Sequence, residues 1–248
     1  MKTKIVKGWT LLHDEKDLAY DDYSLESLQW QKGVFYNAMS YVQNFRTCID
    51  IGSSYGAASN IFARNFDHVH AIEMYPPFIE CAKINNQQYN NITYHNYAIH
   101  ESSGSTRVKS ALWGGYTSLH PFPQAIKSGS YVERNESFRV PVTKFDRFVY
   151  RYDIQNIDLI KVDIEQSEKY FVSHCNDILQ RDKPVVIIEI FRRSGILKEL
   201  IEEFTEKYDY VLVNRIKNEY ILVHKKVVAL GYTQPINTEH VFRIMQMQ

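Results

Sequence analysis

The sequence lacks an excess of charge of either sign. Lys plus Arg and Asp plus Glu each number 29 among 248 residues, so the formal net charge is zero at pH 7. Such a chain generates no overall field that attracts nucleic acid or an anionic membrane surface, although a local basic patch stays compatible with it. We therefore find no strong nucleic-acid signal and expect no membrane partner.

Cysteine is scarce, and long apolar runs are missing. The three cysteines, Cys48, Cys81 and Cys175, are far apart and lie within apolar patterns. This favours reduced, buried thiols over a disulfide framework or a metal cluster. The N-terminal segment has no apolar run typical of a signal peptide, and no run is long enough to span a bilayer. We expect a cytoplasmic protein.

Two ligand-binding motifs are also missing. The nine histidines show no H-x-x-x-H spacing and no C-x-x-C pair accompanies them, so we assign no metal from the sequence. Carboxylates would hold Mg²⁺ only if they converged, which a sequence does not show. The dinucleotide fingerprint G-x-G-x-x-G is replaced by G-S-S-Y-G at residues 52–56. This favours a cofactor without a pyrophosphate.

Strand and helix patterns alternate along most of the chain. Apolar periodicity predicts strands at 48–52, 69–73, 92–99, 157–164 and 184–190, with helices at 24–42, 57–66, 77–85 and 196–204. Alternation of this kind implies parallel strands joined by crossover helices. Only five residues separate the final strands, 208–213 and 219–224, so these must form an antiparallel hairpin. The sequence predicts an α/β fold with a mostly parallel seven-stranded sheet and helices on both faces.

The chain divides into three predicted parts. Residues 1–46 form a helical and aromatic lead-in that packs on the core, residues 47–224 form the main domain, and residues 225–248 form a tail. Within the domain, residues 100–137 are rich in Ser, Gly, His and Pro and are predicted to be a loop-rich insertion that selects the substrate. The strand that follows contains Pro141, so we expect it to be short or at an edge.

The first predicted strand ends in a glycine turn. Ligands of open parallel sheets bind at the carboxyl ends of the strands, where Gly52 permits the turn and Gly56 permits close approach of the next helix. Glu73 ends the second strand 21 residues after Gly52, where an acid accepts the ribose hydroxyls of a nucleoside. Asp50 either faces a charged part of the cofactor or accepts backbone hydrogen bonds from the loop. The candidate cofactor-binding residues here are Asp50, Gly52, Ser53, Tyr55, Gly56, Glu73 and Met74.

A second group of candidates lies at the ends of two later strands. Alternation places Lys161, Asp163 and Glu165 on one face of the strand at 157–164, and Glu189 ends the next strand. We interpret Glu165 and Glu189 as an acid/base pair, with Asp163 and Lys161 as further catalytic candidates. An ion pair of Lys161 with Asp163 or Glu165 is the structural alternative.

Three motifs resemble the FkbM-type family of S-adenosylmethionine-dependent methyltransferases. They are IDIGSSYG (49–56), AIEMYPPFIECAKIN (71–85) and IDLIKVDIEQSE (157–168), and the resemblance extends over about residues 47–224. It implies a Rossmann-like class I methyltransferase fold, a layout that the parallel sheet with its terminal hairpin also suggests. Gln166 departs from the pattern because the family usually has glycine at that position.

The resemblance also implies roles for individual residues. Glu73 would hold the ribose of S-adenosylmethionine, while Asn96, Tyr97 and Ala98 would lie near its adenine. Asp163 and Glu165 would border the reacting centre.

We therefore expect an S-adenosylmethionine-dependent methyltransferase that methylates an oxygen of a small hydroxylated or glycan acceptor such as a sugar. The alternatives are a nucleotide-dependent oxidoreductase, a non-catalytic binding module and a nucleic-acid methyltransferase. The sequence leaves the oligomeric state open.

Overall fold

The computed structural model of the chain describes residues 3–6, 8–12, 31–112, 132–190 and 197–229. The strands are β1 (Thr3–Val6), β2 (Trp9–Leu12), β3 (Thr47–Ile51), β4 (His68–Ile72), β5 (Ile92–His95), β6 (Ala98–Ile99), β7 (Gly104–Leu112), β8 (Val132–Thr143), β9 (Ile157–Val162), β10 (Val185–Glu189), β11 (Tyr210–Ile216) and β12 (Glu219–His224). The helices are α1 (31–39), α2 (Ala57–Ala63), α3 (Pro76–Asn85), α4 (Phe145–Arg151), α5 (Glu168–Val172), α6 (Asn176–Asp182), α7 (Leu197–Glu202) and α8 (Lys225–Ala229). A π-helical turn, Glu203–Lys207, follows α7.

A seven-stranded sheet with the order β11-β12-β10-β9-β3-β4-β5 forms the centre of the molecule. The five strands from β10 to β5 are parallel, and β12 pairs antiparallel with both β10 and β11. The predicted α/β fold, with its terminal hairpin, is confirmed. None of the helices among the described residues combines the length and apolar character that crossing a bilayer requires.

Apolar side chains cover both faces of this sheet. On one face, Phe35 of α1 and Phe62 of α2 pack over strand residues such as Leu159. On the other face, Phe148 of α4 belongs to a cluster that includes Ile160. Because both faces are buried, the central strands are almost continuously apolar in sequence, and a polar residue within them stands out.

The segment predicted as one strand at 92–99 forms two strands in different sheets. β5 completes one edge of the main sheet, whereas β6 pairs with β8 in a three-stranded sheet of order β6-β8-β7. The break falls at Asn96, whose side-chain amide donates hydrogen bonds to the carbonyl oxygens of Glu73 and Met74, at 3.0 and 2.9 Å. These bonds hold the chain against the loop after β4 and turn it out of the main sheet.

The segment predicted as a loop-rich insertion contains more regular structure than expected. β7 and β8 pair antiparallel through most of their lengths, and residues 113–131 lie outside the described residues. β8 is neither short nor at an edge, since it runs for twelve residues between β6 and β7. It accommodates Pro141 because β6 reaches only Val142 and Thr143, so the missing N–H costs no bond to β6.

The N-terminal part contains a β1–β2 hairpin that the sequence patterns did not predict. Asn85 of α3 accepts a hydrogen bond from the Thr10 amide at 2.7 Å and donates one to its carbonyl oxygen at 3.1 Å. Leu11 packs against Tyr55 and Phe78. The lead-in therefore contacts the core through this hairpin and α1, while residues 13–30 and the tail from residue 230 lie outside the described residues.

Candidate functional site

Loops from neighbouring parallel strands meet at the carboxyl edge of the sheet. The amides of Gly52 and Ser53 both donate to the carbonyl oxygen of Ile72, at 2.9 and 3.1 Å, and the Asp163 amide donates to Ile51 at 3.0 Å. Gly52 has a φ of +81°, and a Cβ there would collide with the Asp163 carbonyl. Glycine is therefore required where the β3–α2 loop packs on the β9–α5 loop.

Gly56 brings α2 close to α3. Its φ is +81°, and a Cβ would collide with the side-chain amide of Asn86. That amide donates to the Gly56 carbonyl at 2.9 Å, while its oxygen accepts a bond from Asn60 at 2.7 Å. The role of Asn86 was not predicted, although an asparagine directly after a predicted helix is a recognisable turn residue.

Glu73 is buried, with 5% of its surface exposed. One carboxylate oxygen accepts a bond from the Ser54 amide at 3.0 Å and the other from the Tyr75 amide at 2.8 Å. Burial raises the pKa of Glu73 to about 7, against the lowering effect of these backbone bonds. Each oxygen keeps acceptor capacity for a further hydroxyl.

The remaining candidates for cofactor binding differ in the contacts that their side chains make. The Ser53 hydroxyl is buried and has no hydrogen-bond partner within the described ranges. Tyr55 is only 7% exposed, and its ring packs on Phe78 with the centroids 4.6 Å apart. The Tyr55 side chain also belongs to a cluster with Leu11 of the N-terminal hairpin. Met74 and Ala98 pack in one cluster, and Tyr97 makes an edge contact with Phe148.

Lys161 lies between two parts of the carboxyl edge. One is the glycine loop, residues 52–56, and the other is the acidic side, which contains Asp163, Glu165 and Glu189. Lys161 is 3% exposed, and its Nζ lies 3.2 Å from Asp163, 3.6 Å from Asp50 and 3.5 Å from the Gly52 carbonyl. Burial alone would lower the pKa of Lys161, but the carboxylates of Asp163, Asp50 and Glu219 raise it above its ordinary value. Asp50 also accepts a 2.6 Å bond from the Ser59 hydroxyl. The ion pair given as the structural alternative is present with Asp163.

Three predicted catalytic acids converge. One carboxylate oxygen each from Asp163, Glu165 and Glu189 lies within 4.8 Å of the others. Burial, followed by the nearby Asp163 charge, raises the pKa of both Glu165 and Glu189 well above the ordinary range. The topology explains this convergence, because Asp163 follows β9 and Glu189 ends the adjacent β10.

Glu168 holds the loop that presents Glu165. One of its carboxylate oxygens accepts bonds from the Ile164 and Gln166 amides, each at 3.2 Å. Glu165 and Gln166 both have left-handed backbone angles, with φ of 52° and 72°. Burial raises the pKa of Glu168 to about 7. Glu219, which the β10–β12 pairing places opposite Glu189, was not among the predicted site residues.

The fold is that of the class I methyltransferases. A family model described as "Methyltransferase FkbM domain" matches residues 50–212. The chain therefore belongs to the FkbM methyltransferase family, and its cofactor is S-adenosylmethionine.

Solved structures share the fold at low identity. Methyltransferase FkbM from Methylobacillus flagellatus KT superposes with a TM-score of 0.51 at 17% identity, over 75% of this chain and 47% of that one. This chain thus spans about half the length of that protein. N-methyltransferase NodS from Bradyrhizobium japonicum WM9 gives 0.48 at 12% identity, over 82% and 96% of the two chains. No curated protein matches the chain.

Proposed function

We propose that this chain transfers the methyl group of S-adenosylmethionine to a hydroxyl oxygen of a small acceptor, such as a sugar or another glycan unit. The observation that carries the proposal is the convergence of Asp163, Glu165 and Glu189 beside the glycine loop. A hydroxyl must lose its proton as it attacks, and these carboxylates supply proton acceptors at the sheet edge where ligands of this fold bind.

The glycine-loop side has features that fit the cofactor. In this proposal Glu73 accepts the ribose hydroxyls, which is supported by the two backbone amides that hold its carboxylate, and the buried Ser53 hydroxyl lacks a partner within the described ranges. The segment Asn96 to Ala98 would border the adenine. When bound, S-adenosylmethionine supplies an already activated methyl group, so the chain's own task is to orient the acceptor and remove its proton.

The three acids have two different roles in this proposal. Glu165 and Glu189 receive the hydroxyl proton, whereas Asp163 faces both of them and is held by Lys161. Lys161 acts as a positioning residue because it also contacts the Gly52 carbonyl. The three cysteines are free and buried, which fits a reducing compartment, and we include a cytoplasmic location in the proposal.

Labelled S-adenosylmethionine tests this function on the purified chain. We expect calorimetry to detect S-adenosylhomocysteine binding, and a panel of sugars and hydroxylated metabolites to yield at least one product with a new methoxy signal in NMR spectra. E165Q and E189Q should lower kcat by about 10²-fold or more. The exposed E199Q serves as the matched control and should leave kcat unchanged.

Two results would overturn the proposal. The first is methylation of nitrogen or carbon in the product. The second is full activity of the double variant E165Q/E189Q. Membership of the methyltransferase family leaves the oxidoreductase alternative without support. A non-catalytic binding module would bind the cofactor but would methylate no acceptor.

A further inference from the structure

Three histidines lie on one face of the main sheet, at its β5 edge. His68 and His70 are two residues apart on β4, so their side chains share a face. β5 is the outermost strand, and its register places Thr93 beside His70. His95, two residues after Thr93, therefore lies on the same face as the two histidines of β4. The proposed function uses none of these three residues.

His70 is separated from each of the other histidines by the spacing of two ligands on one metal ion. Its Nδ1 lies 3.0 Å from Nε2 of His95. Two nitrogens bound to one tetrahedral Zn²⁺ are about 3.3 Å apart, and the centroids of their rings are about 5 Å apart. The centroids of His70 and His95 are 5.2 Å apart, and those of His68 and His70 are 4.7 Å apart.

His68 requires a side-chain rotation to complete the set. Its Nε2 lies 2.9 Å from the hydroxyl of Thr93, so the ring is engaged with that strand instead of with His95. His68 is half-buried, as is His70, and the ring has room to turn toward the His70–His95 pair. His70 and His95 thus form a prearranged pair, to which His68 adds the third nitrogen.

The environment of the pair favours neutral rings, the form in which imidazole binds metals. Burial, followed by the neighbouring imidazole of His68, lowers the pKa of His70 to about 3 and that of His95 to about 4. His95 is 6% exposed, and the rings of Phe148 and Tyr152 pack on it with centroids 4.9 and 4.5 Å away. These contacts fix the orientation of the His95 ring.

We propose that His70 and His95, with His68 as the third ligand, bind a Zn²⁺ ion that joins β5 to β4. Imidazole nitrogens suit zinc, copper and nickel, whereas Mg²⁺ and Ca²⁺ prefer oxygen ligands. Three histidines leave the fourth position of a tetrahedral Zn²⁺ to water. The proton between His70 and His95 moves to the other nitrogen of its own ring, so both ligands stay neutral when the ion enters.

This site goes beyond the proposed function and does not rest on it. In the sheet, β3 separates β4 from β9, the strand that Asp163 follows. The task of the ion is structural, because it would fix the end of β5. There the carbonyl oxygen of His95 accepts a bond from the Glu73 amide at 3.0 Å, and Asn96 comes next in the chain. Occupation of the site should therefore raise the melting temperature of the chain.

Calorimetric titration of Zn²⁺ into the full chain, stripped with chelator, tests the site without any assay of activity. Mg²⁺ in excess keeps carboxylates from contributing. The wild-type chain should bind about one equivalent of Zn²⁺. H70Q and H95Q should weaken binding by about tenfold or more, since removal even of a residue that supports a metal ligand has such an effect. H68Q should weaken it by a smaller factor, and H174Q, at a half-buried histidine outside the cluster, should bind like wild type.

NMR spectra of the ¹⁵N-labelled imidazoles provide the second readout. Zn²⁺ should shift the ring signals of His68, His70 and His95 and leave that of His174 in place. Absence of saturable Zn²⁺ binding by the wild-type chain would overturn the site, as would equal affinity in wild type, H70Q and H68Q. Should the buried H95Q not fold, the half-buried H70Q and H68Q decide the matter. Because calorimetry with S-adenosylhomocysteine tests the proposed function separately, either idea can fail alone.

Discussion

The two halves of the sheet edge differ in how their buried acids are satisfied. On the glycine-loop side, both oxygens of Glu73 accept backbone hydrogen bonds. On the acidic side, Glu219 has no hydrogen-bond partner in the described ranges, and Asp163 and Glu189 lie close together. The buried acid of the glycine-loop side is thus hydrogen-bonded within the protein. The acidic side instead carries negative charge that a ligand, a proton or an ion must balance.

This difference indicates separate tasks for the two halves. A loop whose polar groups are already hydrogen-bonded has a fixed conformation before binding. This reduces the conformational entropy that is lost when a cofactor binds. A cluster of acids stores unfavourable electrostatic energy that binding of a cation or proton transfer can release. Lys161 lies between the halves and contacts both, so substitutions at and around it separate their contributions.

The largest expected effect comes from G52A, which should prevent the glycine loop from adopting its conformation. The new Cβ would occupy the position of the Asp163 carbonyl, and alanine disfavours a φ of +81°. We expect binding of S-adenosylhomocysteine to weaken at least 100-fold, with a loss of unfolding free energy of about 3 kcal/mol or more. Calorimetry and urea unfolding measure these two quantities.

Gly33 in α1 supplies the matched control for that substitution. A Cβ at Gly33 would meet no atom within 4 Å. G33A should therefore raise the unfolding free energy by about 0.5–1 kcal/mol, since alanine is the better helix former. Equal cofactor affinity in G52A and wild type would show that the glycine loop does not form the cofactor site.

K161M is expected to have the next largest effect because it removes the cation shared by the two halves. Asp50, which is fully buried, would keep the bond from Ser59 but lose the ammonium 3.6 Å away, and Asp163 would lose the ammonium that pairs with it at 3.2 Å. We expect the unfolding free energy to fall by about 3–5 kcal/mol, as is typical for breaking a buried ion pair. Urea unfolding at pH 7 measures the loss.

An exposed lysine provides the comparison for K161M. Lys83 pairs with Glu80 at 2.9 Å on the surface of α3, so K83M should change the unfolding free energy by no more than about 0.5 kcal/mol. Adding D50N to K161M should recover part of the loss, because one buried charge is removed. If K161M costs less than about 1 kcal/mol, Lys161 does not neutralise these acids.

A pH-dependent affinity for S-adenosylhomocysteine is expected from Glu73. Its pKa of about 7 in the folded protein lies above the ordinary value, so the folded state holds this proton more tightly and loses stability as pH rises from about 4.5 to 7. Ribose hydroxyls donate best to the ionised form. Affinity should therefore increase about tenfold between pH 6 and pH 8, measured by calorimetry.

E73Q and E80Q test the assignment of that pH dependence. E73Q should bind more weakly at pH 8 and show a flat profile, whereas E80Q, an exposed glutamate on α3, should keep the wild-type slope. A wild-type profile that is flat between pH 6 and 8 would contradict ribose binding by ionised Glu73.

Local patterns were sufficient to predict the main sheet and the carboxyl edge at which the candidate residues meet. Parallel strands buried on both faces are apolar runs in the sequence, so Asp50, Lys161 and Glu189 stood out against them. Because parallel strands end at the same edge, acids at their ends were predicted to meet, and Asp163, Glu165 and Glu189 do so.

Features that depend on pairing between distant segments were not predictable in the same way. Glu219 faces Glu189 only because of the register between β10 and β12, and no periodicity in the sequence contains that register. The β1–β2 hairpin is similar, since its contact with Asn85 joins residues 75 positions apart. The contact of Tyr55 with Leu11 of that hairpin was likewise not predicted.

The smallest expected effect concerns the loop that presents Glu165 on the acidic side. Gln166 has a φ of 72°, a left-handed angle that costs a residue with a side chain about 1 kcal/mol and that glycine adopts freely. Q166G should raise the unfolding free energy by up to about 1 kcal/mol, the gain being limited by glycine's greater freedom in the unfolded chain. Q180G, the same exchange inside α6, should lower it by a similar amount because glycine weakens a regular helix. Opposite signs for these two variants in urea unfolding would establish that the strain belongs to the backbone at position 166, whereas destabilisation by both would mean that the Gln166 side chain contributes contacts of its own.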